Sequence, residues 1–311
     1  MSNEKRSFPD WRETLRRQGF VHPDECYREF RLVERPRLSG RTAFVTGAGV
    51  GVGKGIAWAL AAEGAKVLAH YVNEDESAAA LEKTVKAGGG ELSLLKADFS
   101  ILQNVEKAAA EALSRLGRID VLVNNAGITA NMPLAEVRHE FFETLYRVNV
   151  GAVLFLTQAV AADMISRGIP GRIINFGSPQ AERGAAEHAI YAATKGAVQS
   201  MTRALALELI GHGIIVQSII PGWALSENHF TAFPAGTDFG FSGKNQPTEY
   251  AAAPLQIGEV LVDLLGMSNP ELMLGQDIHL TGGQDIAIAW DAHKPCVYKA
   301  GRTYLPGLAG K

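Results

Sequence analysis

The chain has 311 residues, 47% of them apolar and 20% charged, and a formal net charge of −3. That length suits one large α/β domain or two small ones, and the charge gives no electrostatic reason to expect nucleic acid as a partner. Two cysteines, Cys26 and Cys296, build neither a disulfide framework nor a zinc centre, so no metal is expected and the thiols read as reduced in a cytoplasmic protein.

Residues 1–38 read as an extension to the main body. Ser7-Phe-Pro-Asp10 resembles a capping box ahead of a helix carrying Trp11 and Leu15, and a second short helix fits 23–32, closed by Pro36. The segment is too short to fold alone, so it either docks on the body or a neighbouring subunit or forms a charged arm. It lacks the apolar core of a secretory signal. Its acids, Glu4, Asp10 and Glu13 among them, argue against a transit peptide. No apolar run is expected to reach membrane-spanning length.

Thr42-Ala-Phe-Val-Thr46 predicts a buried strand. It leads into Gly47-Ala-Gly-Val-Gly51-Val52-Gly53 and then into a helix ending near Gly64. Strand, glycine turn and helix N-terminus together make an anion site, because backbone N–H groups and the helix dipole face a phosphate. The second strand spans 66–71. A carboxylate at its end would bond a ribose 2′-hydroxyl and select NAD. Tyr71 holds that slot, so a 2′-phosphate meets no carboxylate there, and the reading leans to NADP over NAD. Val50 stands where a basic residue would grip that phosphate, and Glu74 and Asp75 lie close behind as alternative ribose ligands.

Helices are expected over 77–87 and 101–116, with strands over 92–97, closing on Asp98, and 119–124, running into Asn125-Ala126-Gly127. This alternation implies a parallel sheet covered on both faces. A long apolar helix over 141–166 carries Asn149, either as a functional group or as a buried amide bonded to a carbonyl. A strand over 173–176 leads to Ser178. A helix over 190–210 carries Tyr191 and Lys195, four apart and so on one face. A lysine ammonium beside a phenol favours the phenolate, and a phenol so tuned can exchange a proton with a substrate oxygen to which Ser178 donates. Gln180 and His188 lie between, either facing substrate or on the surface. A strand over 214–220 ends at Pro221-Gly222. Residues 223–254, with Phe230, Phe233, Phe239 and Phe241, fit a lid over a ligand. A helix over 255–267 and a strand over 276–281 follow, then a tail over 286–311 without periodicity.

Thr46, Gly47, Gly51 and Gly53, the Asn124-Asn125-Ala126-Gly127 element, and Asn149, Ser178, Tyr191 and Lys195 match in type, order and spacing the motifs of another group of proteins. The chain resembles the classical short-chain dehydrogenase/reductase family over residues 38–285, with a core similar to 3-oxoacyl-carrier-protein reductases. The resemblance implies a single doubly wound Rossmann fold over 39–285 with seven parallel strands. It implies an NAD(P)-dependent oxidoreductase moving a hydride between nicotinamide and a secondary alcohol or ketone. By the same resemblance Gly47, Gly51 and Gly53, with Thr46 and Val52 beside them, hold the pyrophosphate, and Asp98 meets the adenine. Asn125, Ala126 and Gly127 line the nucleotide crevice, Tyr71 stands at the ribose slot, and Pro221 and Gly222 make the turn before the lid. Tyr191 is implied as acid or base, Ser178 as the group polarising the oxygen, Lys195 as partner of Tyr191 and of the nicotinamide ribose, and Asn149 as holder of a linking water. A homotetramer or homodimer is implied as well. A non-catalytic nucleotide-sensing or scaffolding protein on the same fold is the alternative.

Overall fold

The computed structural model describes residues 32–34, 36–224, 226 and 251–282, with the backbone of 297–299 and 302–304. The helices expected in the N-terminal extension, almost all of the lid and most of the tail lie outside the described residues.

The apolar runs form seven strands: β1 Thr42–Val45, β2 Lys66–Tyr71, β3 Glu91–Lys96, β4 Val121–Asn124, β5 Arg172–Phe176, β6 Ile215–Pro221 and β7 Asp277–Leu280. Their order in the sheet is β3-β2-β1-β4-β5-β6-β7, and every neighbouring pair is parallel. The crossovers carry α1 Gly51–Ala62, α2 Asp75–Ala87, α3 Leu102–Leu116, α4 His139–Tyr146, α5 Ala152–Arg167, α6 Ala189–Leu209 and α7 Pro254–Leu265. This is the doubly wound α/β architecture expected from the rhythm of the sequence.

Successive strand residues point to opposite faces. Ala43, Val45, Val67 and Ile174 belong to one apolar layer with Ile56 and Leu60 of α1 and Leu261 of α7. Phe44, Leu68, Leu122 and Ile173 belong to the other, with Val105 of α3, Leu156 and Val160 of α5 and Leu209 of α6. Covering both faces is why the strands read as continuous apolar runs rather than alternating ones. Helices α1 and α7 meet backbone to backbone, since a Cβ on Gly55 would lie 2.3 Å from the Pro254 carbonyl and one on Gly258 would lie 2.6 Å from Gly55 O.

Two local expectations are corrected. The single helix foreseen over 141–166 is α4 and α5 joined by a π-helical turn, Arg147–Gly151, in which Val148 and Asn149 are buried. The extra residue in that turn resets which side chains face inward, a device common at functional sites. The whole run His139–Arg167 is also long and apolar enough to cross a membrane, but half of its most apolar window is buried inside the fold. Leu145, Leu156, Val160 and Met164 direct that apolarity into the core. In the tail, the backbone of β8 Val297–Lys299 pairs antiparallel with β9 Arg302–Tyr304.

Candidate active site

The strand order reverses between β1 and β4, and ligands of open α/β sheets bind in the crevice beyond the carboxyl ends of such strands. A groove of about 1170 Å³ lies there. Of the residues singled out from sequence, Gly47, Gly51, Val52, Asp98, Asn125, Ala126, Gly127, Ser178, Tyr191, Pro221 and Gly222 line it. Thr46, Gly53, Tyr71, Asn149 and Lys195 are not in its lining.

Four of these five stand behind the wall and hold it. Thr46 Oγ1 donates to Val123 O at 3.1 Å and accepts the N–H groups of Asn125 and Ala126, each at 3.0 Å. The Asn125 side-chain amide donates to Thr46 O and to Gly47 O, both at 3.0 Å. The ends of β1 and β4 are thereby laced together beneath the turn. Gly53 must be glycine for space, because a Cβ there would lie 2.1 Å from Gly47 O and 2.4 Å from Asn125 Nδ2. Gly47 and Gly51 have φ of +64° and +60°, the left-handed region that favours glycine. Helix α1 starts in the turn without a side-chain cap and without an acid in its first turn. Its N-terminal end therefore suits an anion, and the glycine cradle fits a pyrophosphate.

Asn149 is 1% exposed. Its Nδ2 donates to Ile128 O and Thr194 Oγ1, each at 3.0 Å, and its Oδ1 accepts Ile128 N–H at 2.8 Å. Lys195, one turn along α6 from Tyr191, donates to Phe176 O at 2.7 Å. Its Nζ stands 5.9 Å from the Tyr191 ring centre. Burial pushes the Lys195 ammonium below its ordinary range, and the charge of Tyr191 pulls the other way. Gly127 faces this pair, and the spot its Cβ would fill lies 3.4 Å from Asn149 Oδ1 and 3.5 Å from Lys195 Nζ.

Ser178 opens a short 3-10 turn, Pro179–Ala181. Its hydroxyl donates to Gln180 Oε1 and accepts Gln180 N–H at 3.3 Å. Gln180 lines the groove beside Ser178 and Tyr191. The ring of His188 stands edge-on to Tyr191 at 6.1 Å, outside that lining. Tyr71 turns aside, with its hydroxyl on Asp75 and Lys96 5.7 Å from its ring centre.

Glu74 is the carboxylate that meets the groove at the end of β2. Its Oε2 accepts Val72 N–H at 3.2 Å and Asn73 N–H at 3.1 Å, and lies 2.9 Å from where a Gly49 Cβ would be.

His70, inside β2, was not singled out from sequence. A histidine within the apolar run Val67-Leu-Ala-His-Tyr71 was the available signal. It is fully buried, with Nε2 2.8 Å from Ala97 O and Nδ1 3.2 Å from Gly47 N. Its ring stacks on Phe99 with centres 3.8 Å apart. A carbonyl on one side and an N–H on the other define the neutral tautomer with the proton on Nε2. Burial pushes its pKa down to about 4, opposed by the Ala97 bond and by the charges of Glu74 and Asp98. An unfolded histidine titrates near 6.5. Between those two values the unfolded chain binds the extra proton, so the His70 contribution is full above pH 6.5, declines as pH falls toward 4 and is flat below. The window corresponds to roughly 3 kcal/mol. Urea midpoints across pH 4 to 7 should therefore slope more steeply in the wild type than in His70→Gln, and equal slopes would contradict the buried neutral ring.

A parallel doubly wound sheet with a glycine cradle at its switch point defines an α/β protein of the dinucleotide-binding class, with a serine and a tyrosine in the same crevice. Residues 41–233 match the family model described as short chain dehydrogenase, and the chain belongs to that family. Sorbitol dehydrogenase of Cereibacter sphaeroides is 34% identical over 255 residues, covering 79% of this chain and 98% of that protein. Galactitol 2-dehydrogenase of Agrobacterium fabrum is 33% identical over 259 residues, covering 79% of this chain and 98% of that protein. Among solved structures, a blue fluorescent protein from a metagenomic library in complex with NADPH superposes with a TM-score of 0.72 at 34% identity, covering 80% of this chain and 99% of that one. The chain is accordingly an NAD(P)-dependent oxidoreductase acting on CH–OH groups.

Proposed function

We propose that this enzyme interconverts a secondary alcohol and a ketone on a small polyhydroxylated substrate, using NAD(H) in preference to NADP(H). The observation that carries the reading is that Ser178 and Tyr191 line the same groove as the glycine turn. Gly47, Gly51 and Gly53 cradle the pyrophosphate, Asp98 meets the adenine, and Lys195 serves the nicotinamide ribose. The nicotinamide supplies or accepts the hydride. The Tyr191 hydroxyl gives a proton to the substrate oxygen in reduction and takes one in oxidation. Ser178, released from Gln180, donates to the same oxygen and stabilises the charge that develops on it. Asn149, buried near Gly127 and Lys195, is read as the holder of a water that links Lys195 to solvent behind the tyrosine. The polyol class is drawn from the names of the sorbitol and galactitol relatives.

The preference for NAD rests on Glu74 and departs from the lean to NADP drawn from Tyr71. A carboxylate beside Gly49 accepts a bond from a ribose 2′-hydroxyl and repels a 2′-phosphate, and Val50 offers that phosphate no cation. The same reading includes a homodimer or homotetramer. Leu154 and Ile165 share one face of α5 and remain exposed, as does Leu207 on α6, and such apolar surface suits self-association.

Reduced-nicotinamide absorbance tests the whole reading, with sorbitol, galactitol and their ketoses against both nucleotides. We expect NAD to exceed NADP in kcat/KM by about tenfold or more, and Glu74→Gln to narrow that ratio by about tenfold, the equivalent of one charge contact near 1.4 kcal/mol. Nucleotide binding without turnover on any polyol, ketose or simple ketone would favour the sensing alternative. A wild type that prefers NADP would remove Glu74 from the ribose site.

A further inference from the structure

The glycine turn contains four glycines in seven residues. Glycine populates many backbone conformations, so such a turn is ordered only where something outside it holds its peptides. Two residues do this from below. The Thr46–Gly47 peptide has its carbonyl held by Asn125 Nδ2 at 3.0 Å and its N–H held by His70 Nδ1 at 3.2 Å. The next N–H, that of Ala48, donates to the backbone carbonyl of His70 at 2.7 Å. One residue of β2 thus offers two successive acceptors to two successive N–H groups of the turn, one from its ring and one from its main chain. The ring is fixed in turn by Ala97 O at 2.8 Å, just beyond the end of β3, and by the face of Phe99.

We propose that His70 is a positioning residue for the dinucleotide, setting the Gly47 peptide and with it the shape of the phosphate cradle before nucleotide binds. Asn125 holds the carbonyl side of the turn, and His70 holds the N–H side. Without the ring acceptor, the half-buried Gly47 N–H loses its protein partner, and the turn shifts to satisfy it. A turn that has moved must be reordered when the nucleotide arrives, and that ordering is subtracted from affinity. The groups assigned to proton transfer, Ser178 and Tyr191, stand on the turn after β5 and on α6, outside the glycine turn. The effect therefore falls on nucleotide affinity, with the rate at saturating nucleotide retained. The proposal rests on the nucleotide reading of this groove.

Two near-isosteric replacements separate positioning from packing. Asparagine carries an oxygen near the place of Nδ1, so His70→Asn keeps the acceptor for Gly47 N–H and loses the bond to Ala97. Glutamine reaches the place of Nε2, so His70→Gln keeps the bond to Ala97 and loses the acceptor. Both lose the stack on Phe99, so both should melt lower than wild type. The experiment titrates NADH into all three proteins by calorimetry, with Tm measured alongside and kcat taken at saturating nucleotide. The expected result is a rise in Kd of about tenfold for His70→Gln and less than about threefold for His70→Asn, with kcat retained in both. If the two variants weaken NADH alike, or neither does, His70 is a packing residue and the proposal is overturned. Should His70→Gln fail to fold, a tenfold rise in His70→Asn alone overturns it. Hydrogen exchange on the nucleotide-free wild type gives an independent reading. The Gly47 amide should be protected, and exchange as fast as in an open loop would also overturn the proposal. A wild type that binds neither NADH nor NADPH would instead refute the nucleotide reading of the groove.

Discussion

Tyr191→Phe is expected to lower kcat by about 10² to 10⁴-fold while leaving nucleotide affinity within about twofold. The change removes one oxygen and little else. Tyr191 is 8% exposed, and phenylalanine keeps the ring that fills that space. Lys195 keeps its bond to Phe176 O, because that bond does not involve the phenol. Ser178 keeps its contacts with Gln180. What disappears is the proton donor facing the groove, so the loss falls on the chemical step. Single-turnover rates with saturating nucleotide would isolate it. Unchanged turnover on a confirmed substrate would mean that another group moves the proton, and the roles assigned to Ser178 and Lys195 around Tyr191 would fall with it.

Gly53→Ala is expected to abolish tight nucleotide binding, raising Kd by more than about tenfold, and to cost about 1–3 kcal/mol of stability. The new methyl would lie 2.1 Å from Gly47 O and 2.4 Å from Asn125 Nδ2. Neither neighbour is the loose end of a flexible side chain. Gly47 O is backbone, and Asn125 Nδ2 is tied to both Thr46 O and Gly47 O. Relief requires the turn to lift away from β4, which takes apart the cradle. Gly211→Ala is the control. Nothing lies within 4 Å of the methyl it would add, so its stability should change by no more than about 0.5 kcal/mol. If Gly53→Ala binds NADH as wild type does, the cradle is looser than its contacts imply.

Most of the architecture was legible because it is local. Alternating apolar strands and helices, with glycine at turns, leave a periodic trace, and the observed elements fall within a few residues of those expected. The departures have identifiable causes. The π-turn at Arg147–Gly151 hides inside a helical period, because one extra residue in an apolar run changes its phase without changing its composition. The β8–β9 ladder leaves no periodic trace because each strand has only three residues. Tyr71 drew attention to the ribose slot by its position, yet its side chain turns to Asp75, while Glu74 folds back against Gly49.

By itself, the sequence determined the strand–helix rhythm, the glycine turn at the first crossover, and the spacing that sets Tyr191 and Lys195 one turn apart on a helix. Each of these depends on residues within a few positions of one another. Only the tertiary structure decided that Asn149 is bonded to Ile128 and Thr194, that Glu74 reaches the groove and Tyr71 does not, and that His70 meets Gly47 beneath the glycine turn. The contacts of Asn149 with Ile128, of Glu74 with Gly49 and of His70 with Gly47 join groups far apart in the chain, the last pair 23 residues apart. Local pattern specifies where an element begins and which face is apolar. Which two polar atoms end up within hydrogen-bond reach depends on how twisted strands and crossover helices bring distant turns to the same edge of the sheet.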